Sequence, residues 1–214
     1  AGAHDTLRGR LLYVDWQVES GVTPTGNFHD GVTVQLYALD VASGASTVVS
    51  GPGTGDGPPL SMVLGGMVFD ESNDRVLLAD GVDTIDPSGG TTIRVLAIDL
   101  ATGDRTQLAT GVGDRPATLP FSRPDGIAYD AATDTAFVGG HNQGAVFRVD
   151  LATGMSTRLE DPLGTTIYTA GVAFDARLGL VVAGQTLRDG VDEHNPMVAR
   201  IDPMSGAQTV IWPR

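Results

Sequence analysis

The chain has 214 residues, 41% of them hydrophobic, with a net charge of −13 and no cysteine. That supports a buried core and excludes disulfides, zinc–thiolate centres and thiol nucleophiles. The acidity argues against nucleic acid and anionic membranes, which attract clustered Lys and Arg, and no apolar run approaches the roughly 18 residues of a membrane span.

From the N-terminus, AGAHDTLRGRLLYVDW (1–16) predicts two strands joined by a tight turn, the second closing near Asp15 and Trp16. After a long loop, VQLYALDVASGASTVVSG (34–51) predicts two more strands about an Asp-x-x-x-Gly turn. GPGTGDGPP (51–59) has neither the Lys nor the strand–loop–helix setting of a phosphate cradle and reads as a flexible connection. The same order then returns three times. It reads GMVFDESNDRVLLADG and IRVLAIDLATGDRTQLATG, then GIAYDAATDTAFVGG and AVFRVDLATGMSTRLED, then GVAFDARLGLVVAGQ and VARIDPMSGAQTVIW.

The anchor aspartates make the repeat quantitative. Asp40, Asp99, Asp150 and Asp202 recur at spacings of 59, 51 and 52 residues, and Asp5, Asp70, Asp130 and Asp175 mark the earlier turn of each unit. Units of about 40–50 residues with four strands are blades of a β-propeller. The chain is therefore read as all-β: one propeller domain over 1–214, with four blades of four antiparallel strands at about 1–51, 65–111, 125–161 and 170–214. The ring is either closed with four blades, an open arc of a longer propeller, or one of two arcs that pair through open blade faces. Of the 26 acids 22 are Asp, a turn former, and only 4 are Glu. The Asp-x-x-x-Gly turns predict an Asp that accepts backbone N–H groups and a Gly at positive φ.

Strands A to D of each blade place the A–B and C–D turns on one end and the B–C and D–A loops on the other. The first set is short. The second is long and varied (16–32, 52–64, 80–92, 112–124, 139–145 and 184–197), so a site is expected at that end, over the channel mouth. Three of the four histidines, His29, His141 and His194, are expected in B–C loops there, as ligand-contact candidates with Trp16. RDGVDEHNP (188–196) and DGVDTIDPSGG (80–90) are acidic but lack the alternate-position spacing of a calcium loop.

SRPDGIAYDAATDTAFVGGHNQGAVFRVDLATG (122–154) resembles the regucalcin/gluconolactonase family, relatives of strictosidine-synthase-like propellers, and LGGMVFDESNDRVLLADG and RGRLLYVDW fit the same blade order. The resemblance implies a six-bladed relative with one divalent ion, usually calcium, at the channel mouth. It implies Asp125 as a metal ligand and catalytic residue, with Asp15 and Asp80 as further metal and catalytic candidates and Asn142 as a loop residue near the ligand. The family's Asn ligand falls on Gly65, and its Glu ligand would lie before Ala1. The expected activity is hydrolysis of a small lactone or ester, the metal polarising the carbonyl and activating water. The alternative is a non-catalytic binding or assembly module. A start at Ala1 without Met, and an acidic Lys-free composition, suit a secreted or periplasmic chain.

Overall fold

The computed structural model describes residues 1–18, 32–61, 63–83, 91–112, 123–140, 145–159, 166–189 and 193–212. Sixteen strands form four separate four-stranded antiparallel sheets, each in chain order. Blade 1 holds β1 (Gly2–Asp5), β2 (Arg10–Val18), β3 (Val32–Asp40) and β4 (Ser46–Ser50). Blade 2 holds β5 (Val63–Asp70), β6 (Arg75–Asp83), β7 (Thr91–Asp99) and β8 (Arg105–Val112). Blade 3 holds β9 (Pro124–Asp130), β10 (Thr135–Gly140), β11 (Ala145–Asp150) and β12 (Ser156–Leu159). Blade 4 holds β13 (Thr166–Asp175), β14 (Leu180–Asp189), β15 (Glu193–Ile201) and β16 (Gln208–Trp212). The described residues contain no α-helix, only a single 3-10 turn at Glu71–Asn73.

The turns form for the local reasons their residues predict. Gly44, Gly103, Gly154 and Gly206 sit at φ of 73 to 80°. Each Gly N–H donates to the carbonyl of the Asp four residues earlier, at 2.8–2.9 Å. The same Asp side chains accept the N–H of Ser43, Thr102, Thr153 and Ser205. At the A–B turns, Asp5 and Asp70 are buried and accept Nε of Arg10 and Arg75 at 2.7 Å. Burial works against their charge. For Asp5 the hydrogen bonds from Arg10 and Arg8 outweigh it, and for Asp70 those from Asn73 and Arg75, so both carboxyls stay below their ordinary value.

A lowered folded-state pKa stabilises the fold above the unfolded value of 3.8, and that contribution is lost as pH falls through the folded value. The melting temperature is therefore expected to drop as pH is taken from above 3.8 to below it. Asp5→Asn and Asp70→Asn should each flatten that drop in thermal melts followed by circular dichroism.

The core is built between blades. Leu12, Leu36 and Ala38 of blade 1 meet Val76, Leu78, Leu96 and Ile98 of blade 2. Leu77, Val95 and Ala97 of blade 2 meet Ala136, Val138, Phe147 and Val149 of blade 3. Phe137 and Val146 of blade 3 meet Val181, Ala183 and Ile201 of blade 4, where Phe137 stacks on Phe174 at 5.5 Å. Ion pairs tie the A–B turns of successive blades. Arg8 reaches both carboxylate oxygens of Asp74 at 2.7 and 2.6 Å, and Arg75 meets Asp134 at 3.0 Å. Asp74 and Asp134 are the described non-Gly residues at positive φ (51° and 48°), a conformation Asp tolerates.

The inner strands approach backbone to backbone. A Cβ at Gly66 would lie 3.1 Å from Gly126 Cα, and one at Gly126 would lie 3.2 Å from Gly171 Cα. At Gly171 the same Cβ would meet nothing within 4 Å. Likewise a Cβ at Gly139 would press on Thr169 at 2.9 Å, whereas at Gly184, its counterpart in blade 4, it would meet nothing. Among the described residues no blade packs against the far face of blade 4, and the four blades form an arc.

Two expectations need correction. The stretch 184–197 is mostly paired strand, not loop: Thr186, Leu187 and Arg188 oppose Pro196, Asn195 and His194. His194 therefore lies in β15, because the B–C hairpin of blade 4 keeps its ladder to Asp189 and Glu193. The segment 51–59 is not a loose connection either. Arg105 organises it, as follows.

Candidate functional site at the variable end

The D–A connection from blade 1 to blade 2 wraps the guanidinium of Arg105. Nε donates to Pro58 O at 2.7 Å, and Nη1 donates to Ser50 Oγ at 2.7 Å and Thr54 O at 3.1 Å. Nη2 donates to Gly55 O at 3.2 Å. Gly55 has φ of 73°, and a Cβ there would lie 2.0 Å from Gly103 O, so only glycine fits this turn. Asp104 takes the N–H of Asp56 at 2.7 Å. Arg105, Gly51, Pro52, Gly57, Pro59, Leu60 and Val32–Val34 line a cavity of about 290 Å³.

The same connection is fastened a second time at Asp80. This carboxylate is fully buried and accepts Ser61 Oγ, Arg94 Nε at 2.9 Å and Arg94 Nη2 at 2.6 Å. Arg94 Nη2 also donates to Pro59 O. Burial pushes the Asp80 carboxyl above its ordinary value, against the opposing pull of Ser61 and Arg94. This arrangement suits a brace between blade 2 and the loop.

Asp15 holds the position in blade 1 that Asp80 holds in blade 2, but its surroundings differ. It is exposed, opposes Gln35 in the ladder, and accepts the N–H of Trp16 at 2.9 Å. Trp16 opposes Val34 and is 58% exposed. The equivalent residue of blade 4 is Gln185, 2% exposed, whose amide nitrogen and oxygen have no hydrogen-bond partner among the described residues. Sequence reasoning missed Gln185, although its alignment with Asp80 marks it.

At the mouth of the arc the inner strands share one irregularity. The pairing of β5 with β6 skips Gly65, that of β9 with β10 skips Asp125, and that of β13 with β14 skips Ala170. Each residue lies five before the blade's turn aspartate. A bulge lifts its residue out of the ladder and re-aims the side chain. Of the three bulge residues only Asp125 bears a side-chain oxygen that could ligate a cation. Its side chain is 14% exposed, and Arg123 Nε lies 3.4 Å from Oδ1. Gly65 has no room for a ligand: a Cβ there would lie 2.3 Å from the Pro124 carbonyl. Asp125 and Asp80 stand in successive blades, and Asp15 in the blade before them. No group of three or more His, Asp or Glu able to hold a metal occurs among the described residues. His29, His141 and Asn142 lie outside the described residues, and for His194 only the backbone in β15 is described.

No protein-family model and no curated protein matches the chain. Solved structures do. A puromycin hydrolase S511A mutant complexed with PGG matches with TM-score 0.61 and 16% identity, over 98% of this chain and 30% of that one. A nidogen/laminin complex matches with TM-score 0.57 and 13% identity, over 99% and 79%. A luciferin-regenerating enzyme matches with TM-score 0.54 and 14% identity, over 94% and 59%. The chain thus spans less than two thirds of the hydrolase and of the luciferin-regenerating enzyme. At such identities the likeness is one of fold, and that fold is the β-propeller.

Proposed function

We propose that this chain is a binding and assembly module: a propeller arc whose two end sheets dock further blades, and whose variable end carries the ligand-contacting loops. The carrying observation is that both ends are less covered at positions every internal junction buries. Leu12, Leu77 and Phe137 are at most 1% exposed, but their counterpart Val182 in blade 4 is only half-buried. Val76, Ala136 and Val181 are fully buried, but their counterpart Leu11 in blade 1 is 43% exposed. Apolar sheet faces of this kind call for a partner. The test compares the native chain with Leu11→Arg/Val182→Arg. The native chain should either self-associate with concentration or bind an apolar dye, and the double variant should do neither while keeping its circular dichroism. A native chain that is strictly monomeric and dye-silent overturns the module reading.

A second reading, a divalent-cation site serving hydrolysis of a small lactone or ester, is supported by Asp125 as the one carboxylate among three equivalent bulge residues. One protein oxygen is few for calcium, which takes 6–8. Isothermal titration with calcium should then show heat that Asp125→Asn abolishes. Equal heats from both proteins would remove the reading.

A further inference from the structure

We propose that the occupant of the open end faces is a second copy of this chain, docked head to tail so that two arcs close one eight-bladed ring. The proposal rests on the reading of the chain as an assembly module. Blade 4 ends the arc with the kind of face that blades 1, 2 and 3 turn toward the blade after them. Its Val182 and Val198 occupy the positions of Leu77 and Val95, both fully buried in blade 2. Blade 1 opens the arc with the kind of face that blades 2, 3 and 4 turn toward the blade before them. Its Leu11, Tyr13, Tyr37 and Leu39 occupy the positions of Val76, Leu78, Leu96 and Ile98, all fully buried in blade 2. One end therefore carries the complement of the other, three times realised within the chain.

The details of the internal junctions carry over. Successive inner strands touch through Gly66, Gly126 and Gly171, and the corresponding residue of blade 1 is Ala1, small enough to preserve a close approach. At the junction of blades 3 and 4, Arg148 Nη1 donates to Pro203 O in the following C–D turn, at 3.3 Å. Arg200 holds the place of Arg148 on the open face and is exposed. The counterpart of Pro203 in blade 1 is Val41, 60% exposed. Among the described residues Arg200 has no such acceptor, and the second copy's Val41 carbonyl supplies it. A face-to-face pairing of two blade 4 sheets would instead bring two Arg200 side chains onto one interface. Head-to-tail contacts close into rings when the rotation permits, and eight blades lie within the range that propellers use.

Native mass spectrometry and sedimentation of the 214-residue chain test this. The expected species has twice the 22.1 kDa chain mass. Leu11→Arg and Val182→Arg, on opposite ends, should each weaken it at least tenfold, and Arg200→Ala should weaken it less. Mixing the two Arg variants should form a heterodimer more readily than either forms a homodimer, because the pair regains one native junction. A dimer sensitive to only one of the two Arg substitutions overturns the head-to-tail arrangement. A chain that stays at 22.1 kDa yet binds apolar dye overturns the second copy and leaves the module reading standing. A dye-silent monomer overturns both.

Discussion

Arg94→Met is expected to destabilise the fold by about 3–5 kcal/mol at neutral pH, the cost of breaking a buried ion pair by removing one partner. Asp80 would remain fully buried and, among the described residues, keep only Ser61 as donor. The loss should depend on pH in a definite direction. Burial already raises the Asp80 carboxyl above 3.8, so its contribution to stability is fully present below 3.8 and lost as pH rises through the folded value. Without Arg94 that loss grows. Urea denaturation should therefore show the variant falling furthest behind at neutral pH and recovering toward the native chain in acid. Adding Asp80→Asn should suppress most of the neutral-pH defect, since no charge is then left buried. A defect that is the same at all pH values, or unrelieved by the second substitution, would mean that the pair does not brace the loop.

Arg105→Met should cost about 3 kcal/mol, as buried carbonyls and a hydroxyl lose their donor. Arg105 is 9% exposed and donates to Ser50, Thr54, Gly55 and Pro58, so no single water contact replaces it. Arg105→Lys should recover little, because an ammonium has three donors and lacks the planar fork. The local consequence should exceed the global one. Residues 51–59 contain no Lys or Arg, so a broad-specificity protease is the suitable probe, and it should cut the variant there well before the native chain. Equal cleavage of both would show that the loop is held by its glycines and prolines alone.

Both residues also mark where sequence reading stopped. The sequence singled out neither Arg94 nor Arg105. Nothing local tells that Arg105 gathers acceptors 47 to 55 residues away in the chain. The same holds for Gly65. The resemblance aligned it with a family ligand, but only the packing of β5 on β9 shows that Pro124 occupies the space a side chain would need. His194 was misplaced for the opposite reason. Its polar neighbours read as loop, and the ladder to Arg188 kept it in a strand because each added pair satisfies further backbone groups.

What the amino-acid sequence determined by itself was the blade. Its strand order, its short turns and the Asp-x-x-x-Gly geometry are settled by contacts within a few residues, where positive φ and a carboxylate near free N–H groups leave little choice. What only the tertiary structure decided was how blades meet: the bulge shared by Gly65, Asp125 and Ala170, the brace at Asp80, and the incompletely covered faces at Leu11 and Val182. Those depend on the angle between neighbouring sheets, a sum of many distant packing contacts. An apolar strand carries the same pattern whether or not another blade lies against it.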